Sequence, residues 1–325
     1  MLVVIGLGGH ALLSRGEEFD LAAQRDRAAI AARAIAEIAR EHDVIVTHGN
    51  GPQVGALAVQ SEPARGGGAT SLDVLDAESV GMIGYLLEQE LGNELDGRDV
   101  AALITQVVVD EADPAFADPT KPIGPKYTED QAKALVFERG WSIAPEGDGW
   151  RRVVPSPRPR AIVDLRTIEI LLEFGVVVIC TGGGGIPVCI GADGGLHGVE
   201  AVIDKDRSAA LLAEDLSADA LVLLTDVDAV MADWGMPTER PIRVADPAEF
   251  EAIAFAPGSM GPKVAAACEF ARTTGRPAMI GSIEDAAAVL RGDAGTTICM
   301  TGESAPSPDP PQPPRSTPRI MHLSG

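Results

Sequence analysis

The chain has 325 residues, 46% hydrophobic and 23% charged, enough to bury a sizeable core as one large α/β domain or two smaller ones. Its formal net charge of −22 argues against nucleic acid or an anionic membrane as a partner, because both would repel such a surface; any phosphate site must therefore be local. Four cysteines without a C-x-x-C pair and five histidines without an H-x-x-x-H pair argue against a disulfide scaffold and a structural zinc site.

Taken in chain order, the β-branched run Leu2 to Leu7 reads as a buried strand that meets glycine too soon, and without a basic flank, to be a signal peptide. No apolar run approaches the ~18 residues that span a bilayer, so a cytoplasmic protein is expected. An Ala-rich helix is expected over Asp20 to Glu41, then a strand over Val44 to Thr47. A glycine-rich stretch at Ala64 to Gly68 precedes an amphipathic helix from Leu72 to Leu95, with Val74, Leu75, Met82, Leu86 and Leu87 as its apolar positions. Ala101 to Val109 reads as one strand.

Residues 110–159 differ in character, with many prolines, Trp141 and Trp150, a helix opening on a Thr128/Gln131 capping box, and a hairpin at Glu146-Gly147-Asp148-Gly149. This segment is expected to be an inserted subdomain within a domain spanning 1–302. Helices at Asp164 to Phe174, Asp206 to Asp215, Pro262 to Thr274 and Glu284 to Arg291 then alternate with strands at Val176 to Thr181, Ala220 to Thr225, Pro277 to Ile280 and Thr297 to Met300. Such alternation implies an α/β fold, a mostly parallel central sheet with helices on both faces. The last residues, 303–325, hold seven prolines and are expected to be a disordered tail.

Gly6-Leu7-Gly8-Gly9-His10-Ala11 follows a strand and matches G-x-G-x-x-A, which raises a dinucleotide site. Two confirmations fail: Arg15-Gly16-Glu17-Glu18 interrupts any helix at the turn, and the second strand ends on Thr47-His48-Gly49-Asn50 rather than on a ribose-binding acid. No G-x-x-x-x-G-K-[ST] is present either. Three glycine loops nonetheless follow predicted strands: Gly8-Gly9, Gly49-Asn50-Gly51 and Gly182 to Gly185. Ligands bind at that edge of an open α/β sheet, and glycine lets backbone N–H groups approach phosphate oxygens.

Phosphoryl transfer requires positioning and cations that meet the charge of the moving group. Lys205, just before a helix, and Lys263, in the first turn of another, are the candidates; a lysine in the first turn opposes the helix dipole, which favours a ligand role over a helix-stabilising one. Asp206 is placed to orient the two ammonium groups, and Thr225-Asp226-Val227-Asp228 at a strand end suits a nucleotide or water-held Mg²⁺. Lys121, between stiff prolines in Pro119 to Pro125, is expected on a rigid loop that closes over an anionic substrate, with Lys126 as a nearby competitor.

With these residues assembled, the chain resembles the carbamate kinases of the amino acid kinase family. The motifs are Gly8-Gly9-His10-Ala11-Leu12, Thr47 to Gly55, Asp76 to Tyr85, Thr120 to Pro125, Gly182 to Pro187, Glu200 to Asp206, and Gly258 to Lys263. The resemblance implies an open αβα sandwich with a protruding subdomain, a homodimer, and the reaction ATP + carbamate ⇌ ADP + carbamoyl phosphate with Mg²⁺, as in arginine fermentation. It implies that Lys205 and Lys263 contact the phosphates, that Asp206 organises them, and that Lys121 descends onto carbamate. Gly8, Gly9, Gly49, Asn50, Gly51, Gly183 and Gly184 would line the anion site, with His10 where the family carries asparagine; Asp226, Val227, Asp228 and Met260 would lie near the nucleotide. A kinase for another small carboxylate, and a nucleotide-binding homologue weakened by His10, are the competing readings.

Overall fold

The computed structural model describes residues 1–8, 20–61, 70–253, 255 and 260–300. In chain order the first half runs β1 (Leu2–Leu7), α1 (Leu21–Ala39), β2 (Asp43–His48), α2 (Gly51–Gln60), α3 (Leu72–Glu94), β3 (Val100–Ala102) and β4 (Gln106–Val109). Then come β5 (Lys121–Tyr127), α4 (Glu129–Arg139), β6 (Ser142–Glu146), β7 (Gly149–Val154), β8 (Pro159–Ile162), α5 (Leu165–Glu173), β9 (Val177–Ile179), β10 (Ile186–Ile190) and β11 (Leu196–Gly198). The chain continues through α6 (Lys205–Asp215), β12 (Ala220–Thr225), β13 (Met231–Ala232), β14 (Arg240–Pro241), β15 (Val244–Ala245), α7 (Met260–Thr274), β16 (Ala278–Ser282), α8 (Ala286–Arg291) and β17 (Thr296–Ile298).

The central sheet has the strand order β15-β17-β16-β12-β1-β2-β9-β3. Its strands are continuous apolar runs because both faces are covered, and successive side chains leave on opposite sides. Val3, Ile5 and Leu7 pack with Ala31, Ile35 and Leu87 of α1 and α3. Val4, Ile45, Leu221 and Leu223 pack on the other face with Ala209, Leu212, Ala267 and Phe270 of α6 and α7. The result is the expected three-layer αβα sandwich, mostly parallel, although β17 runs antiparallel to β16.

Two local expectations change. The strand read over Ala101 to Val109 is broken: β3 closes the central sheet beside β9, and after Leu103 to Thr105 the chain enters a second sheet of order β11-β10-β4-β8. The polar pair Thr105-Gln106 lies at the change of sheet, but two polar residues within an apolar run do not by themselves separate two strands from one. The Lys121 segment is strand β5 rather than a loop; its prolines are tolerated because β5 is an edge strand that pairs only with β7, with a register shift between Ile123 and Tyr127. On α3, Leu75, Leu86 and Leu87 are buried, whereas Val74 faces solvent.

Strands β5, β7 and β6 form a three-stranded antiparallel sheet carrying α4, which opens on the Thr128/Gln131 capping box, and the β6–β7 turn lies at the expected glycines. This unit is seated through a small core in which Ile123 and Val154 meet Val54, Leu72, Leu75 and Val202. Backbone contact is closest where Gly55 of α2 meets Gly124 of β5; a Cβ on Gly55 would overlap the Gly124 backbone. Lys121 therefore starts a strand anchored on α2.

Candidate active site

Four adjacent parallel strands, β12, β1, β2 and β9, end along one edge of the central sheet. Their ends place Asp226, Gly8, Gly49 to Gly51 and Gly182 to Gly185 side by side. Gly8 donates its N–H to the Leu224 carbonyl at 2.9 Å, and Gly49 to that of Leu7 at 3.2 Å, so the loops remain tied to the sheet as they leave it. Gly9 and His10 lie outside the described residues.

The turn after β9 needs its glycines for its own geometry. Gly183 and Gly184 have φ of +68° and +102°, and a Cβ on either would press within 2.5 Å of the Asn50 carboxamide or 2.6 Å of the Ile203 carbonyl oxygen. Ser208 Oγ donates to the Gly184 carbonyl at 2.6 Å, fastening the turn to α6. This run of glycine thus has a structural cause and does not by itself demand a ligand. Gly51 has no neighbour within 4 Å of a would-be Cβ.

Charge is concentrated where α6 begins. Asp204 is its N-cap, accepting from the N–H groups of Asp206 and Arg207 at 3.1 and 3.3 Å, and its other oxygen takes the Lys121 ammonium at 3.1 Å. Asp206 divides its carboxylate between two lysines: Oδ2 accepts from Lys205 at 2.9 Å and Oδ1 from Lys263 at 3.0 Å. The Lys263 side chain is 1% exposed and that of Asp206 3%, whereas Lys205 keeps 16% open to solvent. Three ammonium groups face two carboxylates, a surplus of one positive charge inside a chain of net charge −22. Such a surplus suits an anion.

Burial penalises every one of the α6 charges. It would raise the Asp206 carboxyl, but Lys205 and Lys263 outweigh it and hold Asp206 below the ordinary range. Asp204 is likewise lowered, with burial overcome by Lys121 and Lys205. For Lys205 burial is outweighed by Asp206 and Asp204, and its pKa rises. For Lys263 burial wins, aided by Lys205 against the pull of Asp206, and its pKa falls. Lys263 is the cation held least comfortably, and an arriving anion would relieve it most.

Of the two lysines in the protruding sheet, Lys121 reaches this cluster. Lys126 instead pairs with Asp148 at the exposed hairpin, 2.9 Å away. Thr225 is buried at the end of β12 and donates to Asp226 Oδ1 at 3.1 Å; Asp226 and Asp228 are exposed and Val227 half-buried. Met260 opens α7 one turn before Lys263. No group of three or more His, Cys, Asp or Glu among the described residues is placed to hold a metal ion.

Four contributors escaped the residue reading. Asp204 anchors Lys121, and an acid two residues ahead of the predicted helix start at Asp206, in reach of an N-cap position, is the signal that would have found it. Asp76 and Ser79, on the inner face of α3, hold the Asn50 carboxamide: Nδ2 donates to Asp76 Oδ1 and, at 2.8 Å, to Ser79 Oγ. Burial pushes the Asp76 carboxyl up to about 8, against the pull of Asn50 and Lys121 and with a small push from Asp73. His48, packed under Gly182, is driven by burial down to about 4 and is neutral.

Comparison with known proteins places the chain in a family. The model of the amino acid kinase family matches residues 1–282. A carbamate kinase of Haemophilus influenzae is 51% identical over 304 residues, covering 93% of this chain and 98% of its own. One of Rhizobium meliloti is 52% identical over 301 residues, 92% of this chain and 93% of that one. Among solved structures, a carbamate kinase from Giardia lamblia bound to AMP-PNP superposes with a TM-score of 0.83 at 41% identity, covering 92% of this chain and 98% of that one.

Proposed function

This chain belongs to the amino acid kinase family, and on that premise we propose how its charged cluster transfers a phosphoryl group. The activity is that of a carbamate kinase, a phosphotransferase that interconverts ATP plus carbamate with ADP plus carbamoyl phosphate, consistent with arginine catabolism. A carbamate oxygen attacks the γ-phosphorus, the bond from that phosphorus to the β–γ bridging oxygen breaks, and ADP departs with the electron pair. Carbamate is already an anion, so the protein's part is to align two negatively charged reactants and offset their charge.

The observation that carries the reading is Asp206, with one carboxylate oxygen for each of Lys205 and Lys263. The pairing fixes two ammonium groups at a set separation without solvent reorganisation, the form in which electrostatic stabilisation is most effective. In this reading Lys205 and Lys263 contact the moving phosphoryl group and the nucleotide phosphates. Lys121, held from the protruding sheet by Asp204, faces carbamate. Gly8, Gly9, His10, Gly49, Asn50, Gly51, Gly183 and Gly184 form the anion cradle. Thr225, Asp226, Val227, Asp228 and Met260, one strand further along the edge, hold the nucleotide. Both Asp206 oxygens are taken by lysines, so we assign Mg²⁺ to the nucleotide itself, entering as part of that substrate, with Asp226 and Asp228 able to reach it through water.

We further propose that residues 110–159 act as the lid unit, that residues 303–325 are an extension outside the catalytic domain, and that the enzyme works as a cytoplasmic homodimer. No helix among the described residues is long and apolar enough to cross a membrane. Coupled measurement of ATP formed from ADP and carbamoyl phosphate tests the function. Nucleotide binding without ATP formation would refute it, and sedimentation equilibrium tests the dimer.

A further inference from the structure

Asn50 occupies the N-cap position of α2, yet its side chain makes no capping hydrogen bond there. It turns instead towards α3. Both hydrogens of its Nδ2 are committed, one to Asp76 Oδ1 and one to Ser79 Oγ, and Ser79 Oγ donates in turn to the Asp76 carbonyl at 2.9 Å. Asp76 is fully buried, and its second carboxyl oxygen has no hydrogen-bond partner among the described residues. A buried carboxyl with one idle oxygen is costly and needs a reason.

We infer that Asp76 is a positioning residue of the anion site: with Ser79 it takes both amide hydrogens of Asn50 and so leaves the carboxamide oxygen, beside Gly183, as the acceptor for an N–H group of the substrate. The inference rests on the carbamate reading above and deepens it. Carbamate and carbamoyl phosphate carry an amino group that a plain carboxylate or acyl phosphate lacks, and an outward-facing amide nitrogen would select against it. A site built to accept a hydrogen bond rejects the analogue that cannot donate one. Gly183 supports the arrangement, because a Cβ there would meet Asn50 Nδ2 at 2.5 Å and Oδ1 at 2.7 Å; the carboxamide lies flat against the turn. The charges acting on Asp76 are Lys121 from β5 and Asp73 from α3 itself. Burial keeps a proton on the Asp76 carboxyl at neutral pH while Oδ1 still accepts, so asparagine at this position is a close mimic.

The test compares ATP formation from ADP with carbamoyl phosphate and with acetyl phosphate, which has methyl in place of the amino group. Asp76→Leu is expected to lower kcat/KM for carbamoyl phosphate by about tenfold, the worth of one hydrogen bond, with little change for acetyl phosphate or in the KM for ADP. Asp76→Asn is expected to retain the wild-type preference, and Asp76→Leu to have no further effect in an Asn50→Ala background. Equal losses on both phosphates, no loss, or additive losses would overturn the inference. Wild-type protein that forms no ATP from either phosphate would instead refute the carbamate reading. The positioning role is then judged by hydrogen exchange of the Asn50 side-chain amide in NMR spectra: protection lost in Asp76→Leu supports it, and protection unchanged overturns it.

Discussion

The substitution Asp206→Asn removes the one carboxylate that Lys205 and Lys263 share while leaving its shape in place. Lys263, 1% exposed, is then a buried ammonium beside a second cation with no paired carboxylate, left only the weaker pull of Asp204. Breaking a buried pair by removing one partner costs about 3–5 kcal/mol. An independent bound comes from neutralising Lys263: from its ordinary value of 10.5 to pH 7, at about 1.36 kcal/mol per unit, shedding the proton costs roughly 5 kcal/mol at most. The two figures agree, and at ~2 °C per kcal/mol for a domain of this size they correspond to a fall in Tm of about 6–10 °C. Thermal melts at pH 7 of Asp206→Asn, Lys263→Met and the double variant form the cycle. Most of the loss should return when Lys263→Met is added, since the stranded charge is then gone. The sign with pH is also set: a native lysine pKa below the unfolded value means the unfolded state binds more protons between the two, so the single variant should gain stability as pH rises from 7 towards 10. A single variant that melts within ~1 kcal/mol of wild type, or a double variant no better than Asp206→Asn, would refute the shared-carboxylate argument.

Lys205→Ala should reduce kcat in the coupled assay by about 10²–10³-fold, the scale of losing one preorganised charge at the transition state, while its melt shows the fold intact. Lys121→Met should raise the KM for carbamoyl phosphate and leave that for ADP unchanged, with stability altered by less than ~1 kcal/mol because the Lys121–Asp204 pair is partly exposed. Asp76→Asn should melt higher than wild type at pH 8 and much the same at pH 4. The native Asp76 carboxyl, at about 8 against an ordinary 3.8, keeps its proton where the unfolded chain has released it, so wild-type stability falls across that window by an amount on the order of 5 kcal/mol that the variant does not lose. His10→Asn, which lies outside the described residues, should leave turnover unchanged or improved in the same assay.

The parts of the fold legible in the sequence are those where one local rule decides. The runs Leu2–Leu7 and Ala220–Thr225, apolar up to the closing Thr225, reflect a sheet covered on both faces, and the Thr128/Gln131 capping box marks the start of α4 by its own chemistry. The break between β3 and β4 was not read, although polar Thr105 and Gln106 lie at it, because such a pair also occurs within a single strand and the change of sheet is decided by long-range pairing. Prolines flanking Lys121 suggested a loop because propensity takes no account of whether a strand lies at an edge.

In the site, Lys263 stood out because a cation in a first helical turn opposes the dipole, and Lys205 because it stands immediately before a helix start, both readable from one helix alone. Asp76 set up no such conflict. An acid at that position on α3 reads as part of an ordinary polar face until the structure shows the residue at 0% exposure with Asn50 bonded to it. Its function depends on β2 and α3 meeting behind the Gly183 turn, and nothing within either segment records that meeting. Residues that oppose a local rule, and an acid such as Asp206 directly beside one, can therefore be found from sequence, whereas Asp76, which meets Asn50 from a separate element, requires the packing. For this enzyme the division falls between Lys205 and Lys263, which we propose meet the phosphates, and Asp76, which we propose aims Asn50.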